Sequence, residues 1–232
     1  MNHPPFQNHH YSNYPLLSKF NLYGWRPDPF LSDDENYMDI VLLVTRSSTC
    51  TAHGHVGCLL VNPSSDDNST ISALHKSKEE DEQISIDKES IPIVERLEAR
   101  LLENVLGAAT NASLFQETDS DIHAEIACLG QACKNRNSTE GCTAYITIHP
   151  CKRCFAALVA FGVKRIVSRR LPPGDICRVA EREGIAVAAL TRDQNRSQMK
   201  RINELVNSNI TDEELMAIVE RRRKWRKDVV KK

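Results

Sequence analysis

Short apolar runs alternate along the chain with stretches in which apolar residues recur every three or four positions. The apolar runs, each ended by polar or turn-forming residues, predict strands at 56–61, 105–110, 145–148, 164–167 and 185–190. The segments with helical spacing precede or separate these strands. Because strands joined through a helix are expected to lie parallel in one sheet, the pattern predicts an α/β domain.

Helix boundaries follow from capping and stop residues. A first helix is predicted to begin near Ser32, which forms a capping box with Glu35. Pro150 is predicted to open a later helix that Gly162 ends. Between them, Ser120 or Asp121 is predicted to cap a helix that runs through His123 to about Cys133. The inward face of that helix is predicted to carry Ile126, Leu129 and either Ala132 or Cys133.

Segments outside this pattern suggest the domain organisation. Residues 1–31 contain five prolines and little apolar periodicity, which predicts a mostly disordered leader. The domain itself is predicted to span 32–190, with a polar, charged insertion at about 64–92. Residues 191–232 are predicted to form a helical tail, and its last part, 221–232, is strongly basic.

Composition narrows the classes of protein. The 232 residues carry a formal net charge of −1, so overall charge predicts neither a nucleic-acid nor a membrane partner. No run of eighteen apolar residues is present, and the first thirty residues contain no apolar signal core. A cytoplasmic or nuclear protein is therefore expected. In that setting the eight cysteines are better explained as metal ligands or buried thiols than as disulfides.

Two short clusters contain the candidate chemistry. The first reads His123-Ala124-Glu125, and the second reads Pro150-Cys151-Lys152-Arg153-Cys154. Zinc prefers nitrogen and sulfur ligands in a tetrahedron, and a catalytic zinc keeps one position for water. His123, Cys151 and Cys154 supply three ligands, and Glu125 is placed to move protons at the fourth position. H-x-E followed by P-C-x-x-C is a signature of zinc deaminases.

Other interpretations of these cysteines are open. A C-x-x-C pair alone is also typical of a redox pair or of half a structural zinc site, which would need a fourth ligand. The available candidates for that ligand are Cys128, Cys133, Cys142 and His149. A second zinc site could use Cys50, His53, His55 and Cys58. Because Cys58 falls inside a predicted strand, a polar loop with a buried cysteine is favoured there.

Residues 32–190 resemble the CMP/dCMP-type deaminase domain of the cytidine and deoxycytidylate deaminase superfamily. The resemblance is found in 56–62, Asn111, 123–125 and 145–154. It implies a three-layer α/β/α cytidine deaminase-like fold with a five-stranded mixed sheet. It also implies zinc held by His123, Cys151 and Cys154, a proton shuttle at Glu125, and substrate contacts from Asn111 and Ala124.

The expected activity is hydrolytic deamination of a cytosine nucleotide or nucleoside, by hydroxide attack at zinc with Glu125 as proton shuttle. Two alternatives remain. One is a tRNA adenosine deaminase, for which the basic residues 221–232 would suit RNA phosphates. The other is a non-catalytic partner subunit of such an enzyme, although a structural zinc would not need Glu125. Relatives are usually dimers or larger, so a homo- or hetero-oligomer is expected.

Overall fold

The computed structural model describes residues 11–46, 56–62, 92–115, 121–213, 215–216 and 219–220. Helices and strands alternate through most of these residues. The helices are α1 (Asp33–Arg46), α2 (Ile93–Glu103), α3 (Ala124–Lys134), α4 (Lys152–Ala160), α5 (Gly174–Arg182) and α6 (Arg192–Asn209). The strands are β1 (Gly57–Val61), β2 (Val105–Thr110), β3 (Thr143–Ile146), β4 (Arg165–Ser168) and β5 (Ala186–Ala189).

The strands form one mixed sheet in the order β2-β1-β3-β4-β5. Strand β1 pairs antiparallel with both β2 and β3, whereas β3, β4 and β5 run parallel. The parallel part arises because α4 and α5 connect its successive strands and return the chain to the same end of the sheet. The predicted α/β fold with a five-stranded mixed sheet is confirmed.

Each face of the sheet is covered by helices, which gives three layers. In β1, Leu59 and Val61 belong to a core shared with α1, α2 and α6, whereas Cys58 and Leu60 belong to a core shared with α3, α4 and α5. This alternation is expected when neighbouring strand residues point to opposite faces. At Gly107 of β2, an added Cβ would lie 2.8 Å from the Cys128 carbonyl oxygen, so glycine permits the close approach of α3.

Helix α1 is buried over most of its length, and its acidic residues contact four other elements. The Asp34 carboxylate accepts two hydrogen bonds from Arg165 of β4, at 2.7 and 2.6 Å, and one from the Tyr145 hydroxyl of β3 at 2.8 Å. Asp33 pairs with Arg100 of α2. Asp39, which is 4% exposed, accepts hydrogen bonds from Gln198 and Arg201 of α6. These charge-assisted bonds fix α1 against the sheet and both flanking helices.

The predicted disordered leader is wrong for residues 11–31. Large apolar side chains of this segment are buried in the core that also contains α1. They are Tyr11, Leu17, Phe20, Leu22, Tyr23 and Trp25. The Tyr11 hydroxyl also donates a hydrogen bond to the Trp25 carbonyl oxygen. Proline content and the lack of periodicity indicate irregular backbone, but irregular backbone still packs when its aromatic side chains have a surface to cover.

Helix α3 begins later than predicted. His123 is its N-cap residue, with extended backbone, and Asp121 instead accepts hydrogen bonds from the backbone N–H groups of Leu114 and Phe115. The inward face also differs, since Ile126 is 41% exposed and Cys128 is fully buried. The inward face is set by how the helix packs against the sheet, and its buried residues are Ala124, Glu125, Cys128, Leu129 and Ala132.

The remaining boundaries agree within one or two residues. The capping box of Ser32 and Glu35 is confirmed, and Gly162 and Gly184 both have positive φ just beyond the ends of α4 and α5. Strand β3 ends at Ile146, so Ile148 is exposed. In the tail, the first helix starts at Arg192 behind a capping box of Thr191 and Gln194.

Several predictions fall on residues that the structure does not describe. They concern residues 1–10, Cys50, His53 and His55 of the second zinc site, most of the insertion at about 64–92, and the basic residues 221–232. Cys58 itself is buried in β1. Among the described helices, none has both the length and the apolar character needed to cross a bilayer.

Candidate zinc site

The site is built from the N-terminal ends of two neighbouring helices. His123 is the N-cap of α3, and Cys151 is the N-cap of α4, both with extended backbone. Cys154 follows in the first turn of α4. Sequence spacing placed Cys151 inside the helix, whereas the structure places it just before the helix. Helix N-termini favour negative charge, so this placement stabilises two thiolates.

The three ligand atoms converge. The Nδ1 atom of His123 lies 3.4 Å from the Cys154 sulfur and 3.8 Å from the Cys151 sulfur. All three atoms lie within 4.8 Å of one another. Zinc bonds of ordinary length in a tetrahedron would separate nitrogen from sulfur by about 3.6 Å. The donor set and its spacing therefore fit zinc, which is the cofactor of this site.

One side of the ligand group is open. His123 and Cys151 are exposed, whereas Cys154 is buried. Among the described residues, the ligand group includes no fourth histidine, cysteine or carboxylate. Cys128 and Cys142 are buried in the interior, and Cys133 is exposed on α3. Within the described residues, the interpretation as a structural site with a fourth protein ligand has no support.

Glu125 lies in the first turn of α3, two residues after His123, and is 3% exposed. Its Oε2 atom is buried and has no hydrogen-bond partner among the described residues. Burial raises the pKa of this carboxyl above its ordinary value, although its own backbone N–H, His123 and Cys154 act in the opposite direction. A buried carboxylate oxygen without a partner normally destabilises a fold, so its presence beside the ligands suggests a chemical role.

The cysteine ligands differ in their surroundings. Burial raises the pKa of the Cys154 thiol, and the nearby Glu125 carboxylate and Cys151 raise it further. A divalent cation at the ligand group reverses this preference, because thiolate is the form that binds metal. Metal binding at this site is therefore coupled to loss of the thiol protons.

The two residues predicted to contact substrate, Asn111 and Ala124, are hydrogen-bonded to each other. The Asn111 side-chain oxygen accepts a hydrogen bond from the backbone N–H of Ala124 at 2.9 Å, and Asn111 is 7% exposed. Asn111 follows β2, so this bond fixes the start of α3, and with it His123 and Glu125, to the sheet. No local pattern in the sequence predicts this contact. That Asn111 and Ala124 contact a substrate stays a prediction.

The two ends of the loop between Asn111 and His123 are hydrogen-bonded to each other. Ala112 and Ile122 form an isolated antiparallel bridge, with hydrogen bonds of 2.9 and 3.0 Å. This pairing brings the chain back from β2 to the zinc ligands over a short distance. It explains how His123 and Asn111 are neighbours in space although eleven residues separate them in the chain.

The fold and the donor set define an α/β protein with a candidate zinc site. Residues 31–169 match the sequence model of one family, described as the cytidine and deoxycytidylate deaminase zinc-binding region. The matched region is more than half of the chain, and the chain therefore belongs to this family.

Curated relatives match only in part. The deoxycytidylate deaminase of Enterobacteria phage T2 is 40% identical over 48 residues, which are 21% of this chain and 26% of that protein. The tRNA-specific adenosine deaminase of Buchnera aphidicola subsp. Schizaphis graminum (strain Sg) is 34% identical over 67 residues, 28% of this chain and 44% of that protein. The chain thus matches less than half of the length of these relatives.

Solved structures are more distant in sequence. The dCMP deaminase of the cyanophage S-TIM5 in apo form has a TM-score of 0.43 at 19% identity, covering 68% of this chain and 96% of that chain. NE0047 in complex with 2,6-diaminopurine has a TM-score of 0.45 at 20% identity, covering 75% and 83%. Membership of the family depends on the sequence match rather than on these likenesses.

Proposed function

We propose that the protein is a zinc-dependent hydrolytic deaminase of a cytosine nucleotide or nucleoside. The observation that supports this most directly is the convergence of His123, Cys151 and Cys154 beside the buried, unpartnered Oε2 atom of Glu125. The open side of the ligand group gives a substrate access. Membership of the family agrees with this activity.

The overall reaction replaces an exocyclic amine by oxygen without a redox step. Water adds at C4 of cytosine, a C–O bond forms, the C–N bond breaks and ammonia leaves. Zinc, when bound, lowers the pKa of coordinated water to about 7 and so supplies a nucleophile at neutral pH.

Residues of the chain handle the protons. Glu125 Oε2 accepts a proton from the attacking water and delivers it to the ring nitrogen. It then takes the remaining proton of the oxygen added at C4 and gives it to the departing amine. Its burial keeps bulk water from competing for that proton. The bond from Ala124 to Asn111 holds the helix start that carries Glu125, so the carboxylate stays at the ligand group.

A variant at Glu125 tests the mechanism. Glu125→Gln keeps the size of the side chain but removes its ability to accept and return a proton, and we expect turnover to fall by about 10²–10⁴-fold. Zinc content, measured by atomic absorption, should stay at the parent level. A variant that releases ammonia as fast as the parent would show that the proton path is wrong.

A tRNA adenosine deaminase is the second candidate. It is favoured by the match to the Buchnera protein of that name and by the basic run at 221–232. Zinc-loaded full-length protein should be assayed for ammonia release with cytosine and adenine nucleosides, nucleotides and tRNA. Removing 221–232 should weaken tRNA binding with a reduced salt dependence if RNA is the substrate, and should leave turnover of a free nucleotide unaffected if it is not.

Assembly and catalytic competence are tested by the same preparation. A non-catalytic partner subunit would bind zinc yet release no ammonia from any substrate in that panel. A homo- or hetero-oligomer stays a prediction, and sedimentation of the full chain would measure it.

A further inference from the structure

A pocket of about 860 Å³ lies at the carboxyl ends of the parallel strands β3, β4 and β5. Its lining includes Thr147–His149 after β3, Arg169 and Arg170 after β4, and Arg192 after β5. We refer to it as the arginine pocket. Ligands of open α/β sheets bind beyond the carboxyl ends of the strands, and small-molecule sites measure roughly 300–1,000 Å³. His149, which lines the pocket, stands two positions before Cys151 in the chain.

The charged side chains that line the arginine pocket are arginines. Among the described residues, no acidic side chain lines it. In that same part of the chain, neither Arg170 nor Arg192 has an ion-pair or hydrogen-bond partner for its side chain. Asp193 follows Arg192, but its carboxylate pairs with Arg196 at 3.4 Å and does not line the pocket. The arginines are therefore available to an anion.

Asn195 of α6 holds one of these arginines in place. Its side-chain oxygen accepts a hydrogen bond from Arg169 Nε at 2.9 Å, and its side-chain nitrogen donates to the carbonyl oxygens of Arg169 and Leu190 at 2.9 and 3.0 Å. These bonds connect the ends of β4 and β5. The two terminal nitrogens of Arg169 have no partner among the described residues. A guanidinium fixed through Nε presents its terminal N–H groups as a preformed fork for an oxyanion.

The local electrostatics agree with an anion site. Burial lowers the pKa of the Arg169 guanidinium, and the positive charges of Arg170 and Arg46 lower it further. Like charges brought together in this way destabilise a fold unless an anion offsets them. The pocket also lies at the N-terminus of the 18-residue helix α6, which favours negative charge.

We propose that the arginine pocket binds a phosphate group of the substrate, so that the enzyme acts on a nucleotide unit rather than on a free nucleoside. This inference rests on the proposed function, because it places the base at the zinc ligands and the phosphate at Arg169, Arg170 and Arg192. The phosphate belongs either to a free nucleotide or to an RNA backbone, and the experiment below separates these sources.

The test compares CMP with cytidine as ligands of the full-length, zinc-loaded protein. Calorimetry gives the dissociation constants, and ammonia release gives kcat/KM. We expect CMP to bind more tightly than cytidine. In the double variant Arg170→Ala and Arg192→Ala, the dissociation constant of cytidine divided by that of CMP should fall by about 100-fold, roughly tenfold for each charge-assisted contact. The matched control is Arg196→Ala, an exposed arginine one turn further along α6, which should keep the parent ratio.

Each outcome has a separate meaning. A preference for CMP that the double variant retains overturns the phosphate site even if deamination occurs. Binding of CMP no tighter than cytidine overturns it as well when RNA binding is also independent of the arginines. Arginine-dependent preference for CMP without ammonia release supports the site and contradicts the proposed function. Arginine-dependent binding of a short single-stranded RNA, with CMP bound no better than cytidine, supports the site and assigns the phosphate to RNA.

Discussion

The ligand residues show how backbone conformation positions chemistry. His123 and Cys151 both sit at N-cap positions with extended backbone, and Cys154 lies one turn into α4. The starts of α3 and α4 thus bring the imidazole and both sulfurs together, with their ligand atoms within 4.8 Å of one another.

The zinc content of a variant that lacks one cysteine sulfur tests this geometry. We expect about one zinc per chain in the parent, because the described ligands form a single group. Cys154→Ser should lower zinc affinity by at least about 100-fold, since loss of a ligand costs more than loss of an outer contact. Cys133→Ser is the control, because Cys133 is exposed on α3 outside the group. A zinc content near two per chain would instead support a second site at Cys50, His53 and His55.

At the scale of elements, α1 connects the layers that hold the site. Asp34 joins α1 to β4 through Arg165 and to β3 through Tyr145. Burial alone would raise the pKa of the Asp34 carboxyl, but the hydrogen bonds and charge of Arg165, together with the Tyr145 hydroxyl, lower it below its ordinary value. A carboxyl with a lowered pKa stabilises the fold in its ionised form.

Acid titration of stability tests this connection. Asp34→Asn should reduce the free energy of unfolding by about 1–2 kcal/mol at pH 7, between the values for exposed and buried pairs. In the unfolded chain an Asp carboxyl has a pKa of about 3.9. The difference in the free energy of unfolding between Asp34→Asn and the parent should therefore persist down to about pH 5 and shrink as the pH falls below about 4. Denaturant unfolding at each pH measures it.

A control distinguishes this pair from general charge effects. The side chain of Asp193 is 87% exposed. We expect the Asp193→Asn variant to keep a free energy of unfolding close to that of the parent throughout the titration. An Asp34→Asn difference that stays constant down to pH 2 would mean that the ionised pair does not provide the stabilisation.

At the scale of the whole molecule, residues 11–31 complete the core on one face of the sheet. Their aromatic and leucine side chains pack with α1, α2 and α6, although the segment contains no α-helix and no strand. The family match begins at residue 31, so this packing is an addition to the region that the family shares. The face opposite α3 and α4 thereby receives a cover of irregular chain.

Two aromatic residues of this segment provide a matched test. Trp25 is 3% exposed, and Trp25→Ala should lower the free energy of unfolding by about 3–5 kcal/mol through the cavity it leaves. Phe30 is 95% exposed, and Phe30→Ala should change that free energy by less than about 0.5 kcal/mol. Thermal and denaturant unfolding measure both. Equal, small effects at the two positions would restore the interpretation as a disordered leader.

The sequence determined the strands, the parallel arrangement of the last two and the candidate zinc ligands. These features are local or depend on spacing: apolar runs bury strands, a helical crossover makes neighbours parallel, and H-x-E followed by P-C-x-x-C marks the candidate ligands. That Cys151 lies just before the helix rather than in its first turn came from the structure. Only the tertiary structure decided which charges meet across the layers. Asp34 and Arg165 are separated by 131 positions, and Arg169, Arg170 and Arg192 converge because parallel strands end at one edge. Contacts at such distances depend on how the helices pack, which no local pattern encodes.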